Sequence, residues 1–316
     1  MRKRNAVHSA LSSFFTRMLL SCLVFSLCFG YFGNEIITYA CGEAQSQPPA
    51  IATPQRIVVF PLYAEEMLLE MIGPDRIVYV GHPYWENAET FSPTMELTKN
   101  IPGSEWADSG DQEILDLKPD LIILYEDLPP TGYADVPILV LKYPTSIEDI
   151  KNTLMILGEA VGAPEKAAQM SQNMEDSLAQ ITEIVSKIPE EKRVHALHYE
   201  TWQSKFRIVA RAAGVIDEIG GDEFYSEIIP EQIAECNPDL ITINPYWLDN
   251  EDSPWAFGAD YVEKRLAHIL DNPKLSNVKA VKNHNVHTVS LHESQFIVQS
   301  VKELAQLAYP DLFTEN

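Results

Sequence analysis

The sequence predicts an α/β protein of two lobes with mainly parallel sheets, bridged by one long helix. Three observations carry that prediction. A unit occurs twice: Gln112–Tyr125 reads QEILDLKPDLIILY and Glu231–Asn244 reads EQIAECNPDLITIN. Aligned on Pro-Asp-Leu-Ile, Ile114 falls on Ile233, Pro119 on Pro238 and Asp120 on Asp239. Each half of the chain thus holds the same helix, proline stop and β-rich run. Short β-rich runs alternate with helical stretches in both halves, the pattern of parallel strands covered by helices. Between the copies, Pro164 to Ile188 contains no glycine and no second proline. Its residues Ala167, Met170, Met174, Leu178, Ile181 and Val185 recur at three- and four-residue steps, one face of a helix. Such a helix spans roughly 35 Å and can join two lobes as a rigid spine. A long core helix within one domain is the alternative.

The elements follow in order. Arg2, Lys3, Arg4 and Arg17 precede an apolar run from Met18 to Phe32. A basic region before a short apolar core is the pattern of an export signal, read here over residues 1–40. The run is broken by Gly30, Gly33 and Asn34 and falls short of the ~20 residues of a spanning helix. An uncleaved anchor and a start at Met18 are the alternatives. Thr38-Tyr39-Ala40-Cys41 places small residues before a cysteine, as in a bacterial lipobox, so Cys41 is the candidate lipidation site. Cleavage after Gly42 or Ala44 competes with it. Residues 41–54 are polar and proline-bearing and read as a tether. Residues 55–163 form the N-terminal lobe, with strands at 56–60, 76–80, 121–124 and 136–141 and a helix over 65–71. Thr145 or Ser146, with Glu148 and Asp149 behind, caps a helix that Gly162 stops. The bridging helix covers 164–188. Residues 189–316 form the C-terminal lobe, with strands at 193–198 and 286–290 and helices over 208–214, 261–270 and 295–309. No flexible linker separates the lobes, so rigid or slightly rocking lobes are expected.

The net charge of -23 argues against nucleic acid and against charge-held attachment to anionic lipid. Loss of residues 1–40 takes it to about -26. Phosphate-loop and nucleophile-elbow patterns are missing, and HExxH is too, since His292-Glu293 is followed by Ser-Gln-Phe. That favours a binding module over an enzyme.

Ligands of α/β sheets bind beyond the carboxyl ends of the strands. The residues there are Tyr63, then His82, Tyr84 and Trp85, then Tyr125 and Tyr143 in the first lobe. In the second lobe they are Tyr199, Trp202, Tyr246, Trp247 and His292. Aromatic rings at loop tips expose apolar surface unless a ligand covers them or they pack on their own lobe. Together these residues are the candidate ligand-binding set. His82, His292, Tyr63, Tyr84 and Tyr246 are also able to ligate iron.

With these stretches in hand, the chain resembles the substrate-binding proteins of ABC importers for iron–siderophore complexes, haem and cobalamin. The resemblance runs from about Arg56 to Phe313. It rests on RIVVFPLYAEEMLLEMIGPDRIVYVG, ILDLKPDLIIL, LGEAVGAPEKAAQM, ARAAGVID, IPEQIAECNPDLITI and VKELAQLAYPDLF. It implies a helical-backbone fold with the ligand held between the lobes, no catalysis and no intrinsic cofactor. It also implies an exported monomer partnered by an ABC permease and its ATPase, touching the membrane only through an anchor at Cys41. Family glutamates dock on the permease, and the matching places are Glu66 (Glu65 as neighbour) and Glu231, each expected as an exposed carboxylate. The loops offer mainly Lys142 and Lys205 against Glu86, Glu126, Asp127, Glu200 and Glu293, which weighs against a highly anionic ligand. A receptor for bare Mn²⁺ or Zn²⁺, with His82, His292, Glu126 and Glu200 converging, is the alternative. A bilobal cleft enzyme is the third reading.

Overall fold

The computed structural model describes residues 36–38, 53–85, 88–89, 91–103, 112–128, 136–199, 203–218, 230–245, 247–249, 253–256 and 259–313. In the first lobe the strands are β1 (Ile36–Thr38), β2 (Ile57–Val59), β3 (Ile77–Val80), β4 (Leu121–Tyr125) and β5 (Ile138–Leu141). The sheet order is β1-β5-β4-β2-β3, and every pairing is parallel. The edge strand β1 falls inside the stretch read as an export signal and aligns Ile36 with Ile138. In the second lobe β6 (His195–His198), β7 (Ile216–Asp217), β8 (Leu240–Ile243) and β11 (Val286–Thr288) form a parallel sheet in the order β11-β8-β6-β7. An antiparallel pair, β9 (Trp247–Asp249) with β10 (Ser253–Ala256), stands apart. The sequence places Trp247 in a loop, whereas the structure puts it at the start of β9.

Setting the sheets side by side explains the repeated unit. Strand β4 pairs with β2, aligning Leu121 with Ile57, and β8 pairs with β6, aligning Leu240 with Ala196. So β5, β4, β2 and β3 correspond to β11, β8, β6 and β7. The helices preceding the two repeat strands are α1's successor α2 (Gln112–Asp116) in one lobe and α6 (Pro230–Cys236) in the other, α1 being Leu62–Ile72. After each short helix the chain turns through a left-handed residue, Lys118 at φ 52° and Asn237 at φ 47°, which occupy the same place in the repeat. The aspartate of Pro-Asp then does one job twice. Asp120 accepts from the backbone N–H of Gln55 and of Arg56, both at 2.8 Å, and Asp239 accepts from that of His195 at 3.3 Å. Each carboxylate fixes the start of the neighbouring strand.

Helices α3 (Ile147–Val161) and α4 (Pro164–Val185) connect the lobes. Ser146 caps α3 by accepting from Asp149 N–H at 3.1 Å, and Gly162, at φ 73°, ends it. Pro164 opens α4, which stops at Val185, three residues short of the expected end. Ala167, Met170, Met174, Leu178, Ile181 and Val185 are all buried, as their spacing predicts. Along its length α4 packs on α3, on α5 (Gln203–Ala212) and on α9 (Ile297–Ala308), so one apolar core runs from β2 through the spine to the last helix. Gly158 permits the tight α3–α4 crossing, since a Cβ there would lie 2.4 Å from that of Ala167. The remaining helices, α7 (Ala259–Leu270) and α8 (Lys279–Lys282), cover the second sheet. No helix among the described residues is long and apolar enough to cross a membrane.

Candidate functional site

All strands of each main sheet run in parallel, so their carboxyl ends gather on one side, and there the two lobes meet. The segment leaving β3 carries His82, which is buried. Its Nε2 lies 2.8 Å from Glu65 Oε2, and its Nδ1 lies 2.9 Å from the Pro83 carbonyl. Burial alone would lower the His82 pKa, but the Glu65 carboxyl and the Pro83 carbonyl outweigh it and hold it above the ordinary value. Burial raises the Glu65 pKa, and His82 offsets only part of that. The Trp85 ring stacks on His82 at 5.3 Å and 15°, and Phe91 meets both rings edge-on.

A second aromatic group stands at the ends of β4 and β5. Tyr125 and Tyr143 stack at 5.0 Å and 23°, with Tyr63 edge-on to Tyr125. Burial drives the Tyr125 phenol far above its ordinary range, and its oxygen accepts from Leu62 N–H at 3.2 Å. Tyr63 departs from its expected place in a loop. Pro61 takes the N-cap position, so α1 starts at Leu62 and carries Tyr63 inward to 3 % exposure, where its hydroxyl donates to the Lys142 carbonyl at 3.0 Å. It offers the cleft no surface and acts as a packing residue. Tyr84 is half-buried and donates to Glu96 Oε2 at 2.8 Å.

In the second lobe, His198 ends β6, stacks on Phe206 at 5.3 Å and contacts Thr242 Oγ1 at 2.9 Å. Burial pushes its pKa down to about 3, so the ring is neutral. Asn244, at the end of β8, is buried, and its Oδ1 has no hydrogen-bond partner among the described residues. Tyr199 is half-buried beside the second core. After β11 come His292, Glu293 and Ser294, all buried. Glu293 Oε2 pairs with Lys205 Nζ of α5 at 2.6 Å, and burial raises the Glu293 pKa despite that cation. Trp202, Tyr246, Glu200 and Cys41, together with the side chain of Trp247, lie outside the described residues.

The largest departure concerns Glu66. The expectation was an exposed carboxylate at the permease-facing surface. The residue is 1 % exposed, facing the second lobe: Ser294 Oγ donates to its Oε2 at 2.5 Å, and His292 Nδ1 lies 3.7 Å from its Oε1. Its neighbour Glu65 is buried as well. Neither carboxylate has the exposure that was expected. Glu231 does meet the expected exposure: it opens α6, is 60 % exposed at its side chain and pairs with Lys274 at 2.7 Å. The buried grouping of Glu65, Glu293 and Ser294 around Glu66 is not among the expectations from sequence. Its one local signal is Glu65-Glu66 inside the otherwise apolar run LYAEEMLLEMI.

The convergence expected of a bare-ion site is not formed among the described residues, and Glu200 lies outside them. Among the described residues no group of three or more His, Cys, Asp and Glu is placed to hold a metal ion. His82 and His292 face different glutamates, and Glu126 is exposed.

Comparison with known proteins then fixes the family. A profile described as periplasmic binding protein matches residues 66–290. The chain belongs to the periplasmic binding protein family. A curated member, the uncharacterized ABC transporter substrate-binding lipoprotein YvrC of Bacillus subtilis (strain 168), is 25% identical over 228 residues, covering 65% of this chain and 66% of that one. The chain thus spans about two thirds of that relative's length. Three solved structures share the fold. A periplasmic binding protein from Veillonella parvula aligns at TM-score 0.65 and 18% identity, over 82% of this chain and 92% of that one. Molybdate-bound MolA of Haemophilus influenzae aligns at 0.66 and 14%, over 82% and 87%. The haem-binding RhuT of Roseiflexus sp. RS-1, in apo form, aligns at 0.64 and 20%, over 82% and 99%. These likenesses match the resemblance read from the sequence and its two-lobed fold.

Proposed function

We propose that this periplasmic binding protein is the extracytoplasmic substrate-binding component of an ABC importer. It captures an iron complex (a siderophore chelate or haem) or cobalamin between its lobes and delivers it to a membrane permease served by an ATPase. It performs no catalysis, works as a monomer and is exported, with Cys41 as its lipid anchor. The family membership and the name of the Bacillus relative support the transport role. The observation that supports the ligand class is the gathering of aromatic rings at the strand ends of the first lobe. Trp85, Phe91, Tyr125 and Tyr143 gather at the strand ends, while Lys205 is engaged by Glu293. Such a wall suits a planar or bulky, weakly charged ligand, whereas an oxyanion or a catecholate complex wants an arginine or lysine cluster.

For docking, Glu231 opens α6, and the matching helix α2 of the first lobe carries exposed Glu113 beside Gln112. With Glu66 buried, Glu113 is the first lobe's carboxylate on the equivalent surface. Titration of the exported chain with haemin, cobalamin and ferric hydroxamates, followed by tryptophan quenching and visible spectra, tests the reading. Saturable binding of one of them supports it. Silence across the set, with tight binding of molybdate or a bare divalent ion instead, refutes the ligand class.

A further inference from the structure

Two polar pairs flank Glu66 near the seam between the lobes. His82–Glu65 lies wholly in the first lobe and Lys205–Glu293 wholly in the second. Between them stands Glu66, the carboxyl group that reaches across. Its Oε2 accepts from Ser294 Oγ at 2.5 Å, and its Oε1 faces His292 Nδ1 at 3.7 Å. Gln295 Nε2 donates to the Glu66 carbonyl at 3.3 Å and to Glu70 Oε2 at 2.8 Å. The grip on the second-lobe side is itself braced. Ser294 Oγ accepts from Phe296 N–H at 3.3 Å, and Ser300 Oγ accepts from His292 N–H at 3.1 Å, which ties the segment to the first turn of α9.

We propose that Glu66 is an inter-lobe clasp: through Ser294, Gln295 and His292 it locks the first turns of α1 to the segment leaving β11 and so sets the angle between the lobes. Two physical facts point this way. A carboxyl group at 1 % exposure costs several kcal/mol of lost hydration unless it is bound, and the described groups bound to its side chain belong to the other lobe. An O–H to carboxyl contact of 2.5 Å is at the short, strong end of the range. The spine α4 fixes one side of the lobe pair by apolar packing. The clasp fixes a second place, and two points of attachment restrain a rocking motion that one would leave free. Separating the lobes requires Glu66 and Ser294 to part and take up water, so the clasp defines a discrete closed state.

The inference concerns the lobes alone and is tested without ligand, so its failure and that of the transport reading are separable. Spin labels are placed at Lys99→Cys and Lys282→Cys, both exposed, in a Cys236→Ser background of the exported chain. Wild-type Glu66 should give one narrow distance distribution. Glu66→Ala and Ser294→Ala should each broaden it toward longer distances, and Glu66→Gln, which keeps an acceptor for Ser294, should fall between. Amide exchange over 291–297 should rise about tenfold or more in the first two, the factor that leaving one buried polar group unsatisfied implies. An unchanged distance distribution in folded Glu66→Ala and Ser294→Ala overturns the proposal. If Glu66→Ala does not fold, Ser294→Ala decides alone, since removing one hydroxyl leaves the core volume nearly intact.

Discussion

Replacing Lys205 by methionine should uncover how strongly the seam depends on its one described ammonium partner. Lys205 is 15 % exposed at its side chain and Glu293 is 7 % exposed, 2.6 Å apart. The methionine fills most of the space but leaves Glu293 in a pocket that also holds Glu66 and His292. Breaking a buried pair from one side costs about 3–5 kcal/mol. Glu293 can limit that loss by taking a proton. Starting from its ordinary value of 4.5, protonation costs about 1.4 kcal/mol per pH unit, hence roughly 5 kcal/mol at pH 8 and roughly 1.4 kcal/mol at pH 5.5. The expected destabilisation is therefore about 3–5 kcal/mol at pH 8 and about 1–2 kcal/mol at pH 5.5. Urea unfolding at both pH values measures it. The double variant K205M/E293Q should recover most of the loss, because the stranded charge is gone. A cost below about 1 kcal/mol at pH 8, or an equal cost at both pH values, would refute the reasoning.

Three further outcomes follow from the structure. His82 titrates above its usual 6.5, and Glu65 and Glu293 above their usual 4.5, in the company of Glu66, His292, Lys205 and Tyr125. In these windows the folded chain binds protons that the unfolded chain has released, so stability falls as pH rises from about 4.5 through the folded pKa values. Thermal unfolding of H82Q should show a shallower fall above pH 6.5, and an identical slope would count against the His82–Glu65 pair. G158A gains roughly 1 kcal/mol of helix propensity but meets the Ala167 Cβ at 2.4 Å, a clash costing about 1–3 kcal/mol; the net result should be a lower melting temperature, and a higher one would deny the tight α3–α4 crossing. Charge reversal at Glu113 and Glu231 together should abolish uptake in whole cells and leave ligand affinity unchanged, whereas a parallel loss of affinity would place these residues elsewhere than on a docking face.

The repeat was readable because it is local. Lys118 and Asn237 adopt the same left-handed turn, and Asp120 and Asp239 hold the adjoining strand starts, so one sequence pattern has one structural consequence in each lobe. The spine was readable for the same reason, since period and burial coincide from Ala167 to Val185. The burial of Glu66 is not legible locally, because its partner Ser294 lies 228 residues away in sequence. Charge at a helix start suggests solvent unless the partner is known. Tyr63 is expected beyond the end of the first strand, but Pro61 is the N-cap position of α1, and the helix carries Tyr63 inward. The β9–β10 pair escaped notice because Trp247 was read as one of the loop aromatics.

The central claim is capture of one weakly charged iron complex or corrinoid per chain at the lobe seam. Calorimetric titration of the exported protein with haemin, cobalamin and a ferric hydroxamate, repeated on Trp85→Ala, tests it most directly. One ligand should bind at one per chain and lose affinity at least tenfold, about 1.4 kcal/mol, when the indole that stacks on His82 is removed. Binding that is unaffected by Trp85→Ala, or no binding by any of the three, would contradict it.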